Sequence, residues 1–143
     1  MAFSFRYKPV NLSSGKIYRP LIPLTFNGKE SIDIFGLLDS GSDMTIIPAD
    51  MAEAIGINLE NEISGISGSS IKAWESFISL KFGKGHEIYE FKIPVLVPQD
   101  TEYSKIIIGR QGFFNQFKII FIENEKRIEF KKDTNLNYLS NKV

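Results

Sequence analysis

"FGLLDSGSDMTII", residues 35–47, decides how this chain is read. The apolar run Phe35-Gly36-Leu37-Leu38 ends abruptly on Asp39-Ser40-Gly41, and a second apolar stretch resumes after a few polar residues. The first run reads as a buried strand that delivers a carboxylate into the interior. An unpaired buried charge is costly, so Asp39 needs a partner. Gly41 lets the chain turn sharply and leaves its N–H free to approach the carboxylate. Ser40 can bond backbone groups and lock the loop, and Ser42 can donate to an outer oxygen of Asp39. The loop reads as a mount for one rigid carboxylate.

Around that stretch the chain is ordinary. Its 143 residues suit one domain with a real core. Hydrophobic residues make up 43% and charged residues 24%, a globular rather than a disordered composition. Seventeen basic residues balance seventeen acidic ones with no basic stripe, so nucleic acid is not expected as a partner. The absence of cysteine excludes disulfides, thiolate metal sites and a cysteine nucleophile together. The single histidine, His86, sits in "FGKGHEIYEF", which reads as a hairpin turn. A histidine triad and a multi-histidine zinc site are therefore not expected. No apolar run approaches the ~20 residues of a membrane span, and "MAFSFRYKPV" lacks a signal-peptide apolar region. A soluble cytoplasmic protein is the expectation.

Short runs rich in isoleucine, phenylalanine and tyrosine favour strands. "KIYRPLIPLTF" (16–26) reads as one edge-tolerant strand, because Pro20 and Pro23 cannot donate to ladders on both sides. "NGKE" reads as an Asn-Gly hairpin turn, and 31–39 as the returning strand. Residues 48–56, "PADMAEAIG", predict a helix opened by Pro48 and closed by Gly56. Strands are expected within 63–82 and 86–97, a short buried strand at 105–109, helical turns at 112–117 and a hairpin at 118–132. Phe113, Phe114, Phe117 and Trp74 read as core.

"LLDSGSDMTII" resembles the catalytic signature of aspartic proteases. "KIIIGRQGFF" resembles the second apolar-Gly element of the same fold, in the Ile-Ile-Gly-Arg form of retroviral-type enzymes, and "ISGISGSS" lies where that family carries its glycine-rich flap. The three motifs stand in the family's order over about residues 16–132, and the helix at 48–56 is similar to the cellular and prokaryotic retropepsin-like branch. The resemblance implies a mainly β fold: a single-lobe, closed acid-protease barrel with one or two short helices and a flap, forming a symmetric dimer. Residues 1–15 are then an N-terminal segment, 16–132 the protease domain, and 133–143 a tail or a dimer-interface strand.

Peptide hydrolysis by this chemistry needs two carboxylates, one as base and one as acid. Asp33, Asp43, Asp50, Asp100 and Asp133 do not stand in a second Asp-Ser/Thr-Gly. The missing partner is therefore expected to be Asp39 of another copy, across a two-fold axis. The resemblance gives Ser40 a hydrogen-bond lattice across the dimer and Gly41 backbone bonds near the scissile bond. Substrate contacts are expected from Ser42, Asp43, Gly65, Ile66 and Gly68. Gly109 and Arg110 give structural support, with Arg110 paired to Asp43 in a partly buried position. The implied activity is a homodimeric aspartic endopeptidase acting on extended peptide or unfolded protein. The alternative is a protease-fold module that binds peptide by strand addition without significant catalysis.

Overall fold

Alternation of apolar and polar side chains builds the first hairpin. Along β4 (Leu21–Asn27), Ile22, Leu24 and Phe26 are buried, while Pro23 and Thr25 face outward. Along β5 (Ser31–Leu38), Ile32 and Ile34 turn toward the same core while Asp33 and Phe35 face outward, the period of two expected of a half-covered strand. The two strands pair antiparallel from Leu21↔Leu37 to Asn27↔Ser31. The computed structural model describes residues 2–64 and 72–133 of the chain.

The sequence 16–26 forms two elements rather than the single strand expected. Pro20 separates β3 (Gly15–Arg19) from β4, and β3 pairs with β2 (Lys8–Leu12) in a separate two-stranded ribbon. Proline has no N–H for a ladder, so the pairing changes partner there. The "NGKE" hairpin is present, but its loop holds three residues, 28–30, instead of a two-residue Asn-Gly turn. That loop docks on a helix: the N–H groups of Lys29 and Glu30 both donate to the carbonyl of Ile55.

The remaining strands close a barrel. β6 (Thr45–Ile46) lies antiparallel to β10 (Ile107–Ile108) and parallel to β9 (Glu87–Pro98), while β10 runs parallel to β5. β8 (Lys72–Lys84) pairs along its length with β9 and also with β4 at Thr25–Asn27. The order β4-β5-β10-β6-β9-β8 therefore returns to β4, a closed ring of six strands, with β7 (Asn61–Ser64) added on the outer edge of β8. Closure leaves no free sheet edge within the ring. The helix α1 (Ala49–Ile55) falls where expected, with Pro48 at its N-cap and Gly56 left-handed at φ 79° as its C-cap. His86 is exposed in the β8–β9 turn.

A second sheet packs against β8 and β9, in the order β1 (Ala2–Arg6), β12 (Arg127–Lys132), β11 (Phe117–Ile122). The segment before residue 16 thus contributes a strand, with Phe3 paired to Phe130. Between this sheet and β8 and β9 lies an aromatic cluster. Phe82 and Phe130 meet edge-on with centroids 4.8 Å apart, and Phe113 lies 5.2 Å from Phe82. Such contacts add to the area each ring buries. Phe113 and Phe117 are buried and Phe114 and Trp74 pack against the core, as expected. No helix among the described residues is long and apolar enough to cross a membrane.

Candidate active site

β5 ends at Leu38 and its parallel neighbour β10 ends at Ile108, so two loops leave the same end of the barrel side by side. The N–H of Asp39 donates to the carbonyl of Ile108 at 3.0 Å, carrying the ladder one residue past the strand. The chain then turns back on itself, the N–H of Ser42 donating to the carbonyl of Asp39 at 3.2 Å. Within the turn, the N–H of Gly41 donates to Oδ1 of Asp39 at 2.9 Å. A Cβ at position 41 would lie 3.2 Å from that same oxygen, so glycine leaves room for the carboxylate.

Two expectations about the serines are corrected. The hydroxyl of Ser42 does not reach Asp39; it donates to the carbonyl of Met44 at 2.7 Å and closes the turn from within. Ser42 therefore locks the loop, the role expected of Ser40, whose exposed hydroxyl makes no hydrogen bond within the described residues. The hydroxyl two positions further on is better aimed because the turn reverses at Gly41. Asp39 is half-buried, and its Oδ2 accepts no hydrogen bond among the described residues.

The second loop is bound to the first mostly by backbone. The N–H of Arg110 donates to the carbonyl of Ser42 at 2.9 Å, and that of Gln111 to the carbonyl of Asp43 at 2.8 Å. The side chains of Arg110 and Asp43 form the expected ion pair. The pair is not partly buried: the two side chains are 54% and 75% exposed in the single chain. Gly109 is buried, and a Cβ on it would lie 2.2 Å from the carbonyl oxygen of Met44. No side chain fits there, which is the physical reason for glycine after the isoleucines. Gly65, Ile66 and Gly68 lie outside the described residues.

One residue of the site escapes the sequence reading. Thr45 is fully buried, and its Oγ1 accepts a 3.1 Å hydrogen bond from the N–H of Gly109. It joins the strand after the first loop to the start of the second. The available signal was a lone hydroxyl in the apolar run "MTII". Tyr103 lies in the segment leading into β10; burial pushes its phenol above the usual tyrosine range, and its hydroxyl has no hydrogen-bond partner among the described residues.

A model of the aspartyl protease family matches residues 22–111, from β4 through both loops. No curated protein sequence matches the chain. Among solved structures, a retropepsin-like aspartic protease from Rickettsia conorii is similar in fold, with a TM-score of 0.58 at 16% identity over 91% of each chain. The retroviral protease-like domain of Ddi1 from Leishmania major gives 0.49 at 15% identity, over 82% of this chain and 97% of that one. The EIAV protease in complex with the inhibitor HBY-793 gives 0.46 at 21% identity, over 71% and 88%.

Proposed function

The chain belongs to the aspartyl protease family, and on that premise we propose that two copies form an endopeptidase with one Asp39 from each at a shared two-fold axis. The observation that carries the proposal is the half-finished carboxylate. Oδ1 of Asp39 is held by the Gly41 N–H, whereas Oδ2 and the Ser40 hydroxyl have no hydrogen-bond partner among the described residues. No second Asp-Ser/Thr-Gly exists in the 143 residues to complete the site from within.

Two carboxylates a few Å apart share one proton rather than both ionising. The ionised member takes a proton from a water lying between them, and that water attacks the peptide carbonyl carbon. The protonated member donates to the carbonyl oxygen, giving a neutral tetrahedral diol. Proton transfer to the amide nitrogen then allows the C–N bond to break, releasing a carboxylic acid and an amine. No metal or cofactor enters these steps. Ser40 ties the two loops together across the axis. The backbone near Gly41, together with Ser42 and Asp43, holds an extended peptide, and Gly65, Ile66 and Gly68 close over it. Gly109 and Arg110 support the loop, and residues 16–132 carry the protease domain.

The test pairs a cleavage assay on an unfolded protein across acidic pH with a solution mass, for the wild type and Asp39→Asn. Cleavage by a dimer with a bell-shaped pH profile, abolished in the variant, is the expected result. Full activity in Asp39→Asn, or peptide binding by a dimer that never cleaves, would overturn the assignment.

A further inference from the structure

The ribbon β2–β3 is an unusual object for so small a chain. Among the described residues neither strand pairs with any other strand, and nearly every residue in the ribbon is exposed. A two-stranded ribbon is marginal in water unless something covers a face. This one is patterned for cover. The register Lys8↔Arg19, Val10↔Ile17 and Leu12↔Gly15 puts Val10, Ile17 and Leu12 on one face. Leu12 is 45% exposed and Ile17 36%. At the base of that face the Lys8 ammonium lies 5.0 Å from the centroid of Phe35, itself on the outer face of β5. The face thus begins against the barrel and runs out beyond it.

Two further observations narrow what chemistry suits that face. The ribbon is rooted beside Asp39: Pro20, the residue after Arg19, accepts the N–H of Leu38 at 2.9 Å, one residue before the carboxylate. Any axis that brings two Asp39 groups together passes close to both ribbon roots. The ribbon is also cationic. Residues 7–19 contain Lys8, Lys16 and Arg19 and no carboxylate. The stretch 49–64, carrying α1 and β7, has the opposite character: Asp50, Glu53, Glu60 and Glu62 are exposed, with no Lys or Arg among them. None of the four forms a salt bridge among the described residues.

We propose that the ribbon is an arm that docks on a second copy of this chain, its apolar face against the partner and the two cations of that face, Lys8 and Arg19, against the carboxylates of the partner's α1–β7 surface. The proposal rests on the homodimer reading above and names the contact that stabilises it. The apolar face supplies burial, and the charges set orientation and partner choice. The contact recurs twice in a symmetric pair, so a modest contribution per arm is doubled.

The test is a charge exchange read by sedimentation, with cleavage measured in parallel. Lys8→Glu with Arg19→Glu, and separately Glu60→Lys with Glu62→Lys, should each raise the dimer dissociation constant about tenfold or more at low salt. All four changes together should bring it back toward the wild-type value, and circular dichroism checks that each variant folds. Ile17→Ser, which alters no charge, should weaken the dimer at high salt as well. Equal constants in all variants, a fourfold variant weaker than either pair, or a wild type that stays monomeric at every concentration overturns the arm. The two readings fail separately. A dimer that responds to the charge exchange but cleaves nothing sinks the protease assignment alone. Active dimers indifferent to the exchange sink the arm alone.

Discussion

Replacing Thr45 by valine tests how the two loops are held. The two side chains are nearly the same shape, so the change removes one hydroxyl from a fully buried position and opens little cavity. What it leaves is the N–H of Gly109, buried and without the acceptor it now has at 3.1 Å. A buried donor stripped of its acceptor costs about 1–3 kcal/mol. At roughly 2–4 °C per kcal/mol for a domain of this size, the melting temperature should fall by about 2–12 °C. Activity should fall further than stability explains, because Gly109 directly follows Ile108, whose carbonyl holds the N–H of Asp39. A loosened β10 misplaces the carboxylate, and we expect kcat to drop about tenfold or more with KM changed little. Thr45→Ser keeps the hydroxyl and should recover most of kcat. The assays are thermal denaturation by circular dichroism and steady-state cleavage of one peptide well below the melting temperature. A valine variant that melts and turns over like the wild type, or a serine variant no better than valine, would refute the reasoning.

Asp39→Asn should lower kcat/KM by at least about a thousandfold while leaving the melting curve near wild type, since the Gly41 N–H still finds an oxygen. Gly109→Ala should be far more damaging to the fold: its methyl would lie 2.2 Å from the backbone carbonyl oxygen of Met44, which cannot swing aside, and a loss of about 3 kcal/mol or more in urea unfolding is expected. Asp43→Ala should shift the melting temperature by no more than about 3 °C, because an ion pair this exposed contributes little to stability. Burial, with Glu123 beside it, raises the Tyr7 phenol above its ordinary value of 10.0. Above that pH the unfolded chain gives up the proton while the folded one keeps it, so stability should fall as pH rises through the folded value. Tyr7→Phe should flatten that alkaline fall in denaturation curves taken from pH 9 upward.

The parts of the fold that were legible in sequence are those where one local rule decides. Pro48 and Gly56 bracket α1 because proline suits the start of a helix and glycine its left-handed end. Alternation at 31–38 gave the strand, and the solid run before Asp39 gave its buried terminus. Where local rules left two outcomes, only pairing could choose. Nothing within 16–26 says that Pro20 ends one sheet and begins another, since the partner of β3 is the ribbon strand β2. The site divides the same way. Gly41 beside the carboxylate follows from the Asp-Ser-Gly spacing, whereas which serine turns inward depends on where the loop reverses. Thr45 matters because of Gly109, 64 residues away in the chain.

The distribution of hydrogen bonds around Asp39 carries the functional argument a step further. On the barrel side the loop is held at many points: by Ile108, by the Ser42 hydroxyl, by Arg110 and Gln111 from the second loop, and by Thr45. On the other side Oδ2 and the Ser40 hydroxyl have no hydrogen-bond partner among the described residues. A loop whose polar groups served only to cap a strand would have no reason to be stiff on one face and unsatisfied on the other. A site completed by an identical copy needs that asymmetry, because each half must arrive already shaped and leave its reactive oxygen open to the axis. On the homodimer proposal the cationic ribbon beside the site has a physical task, since a dimer joined only through two Asp39–Ser40 loops would bury little apolar area.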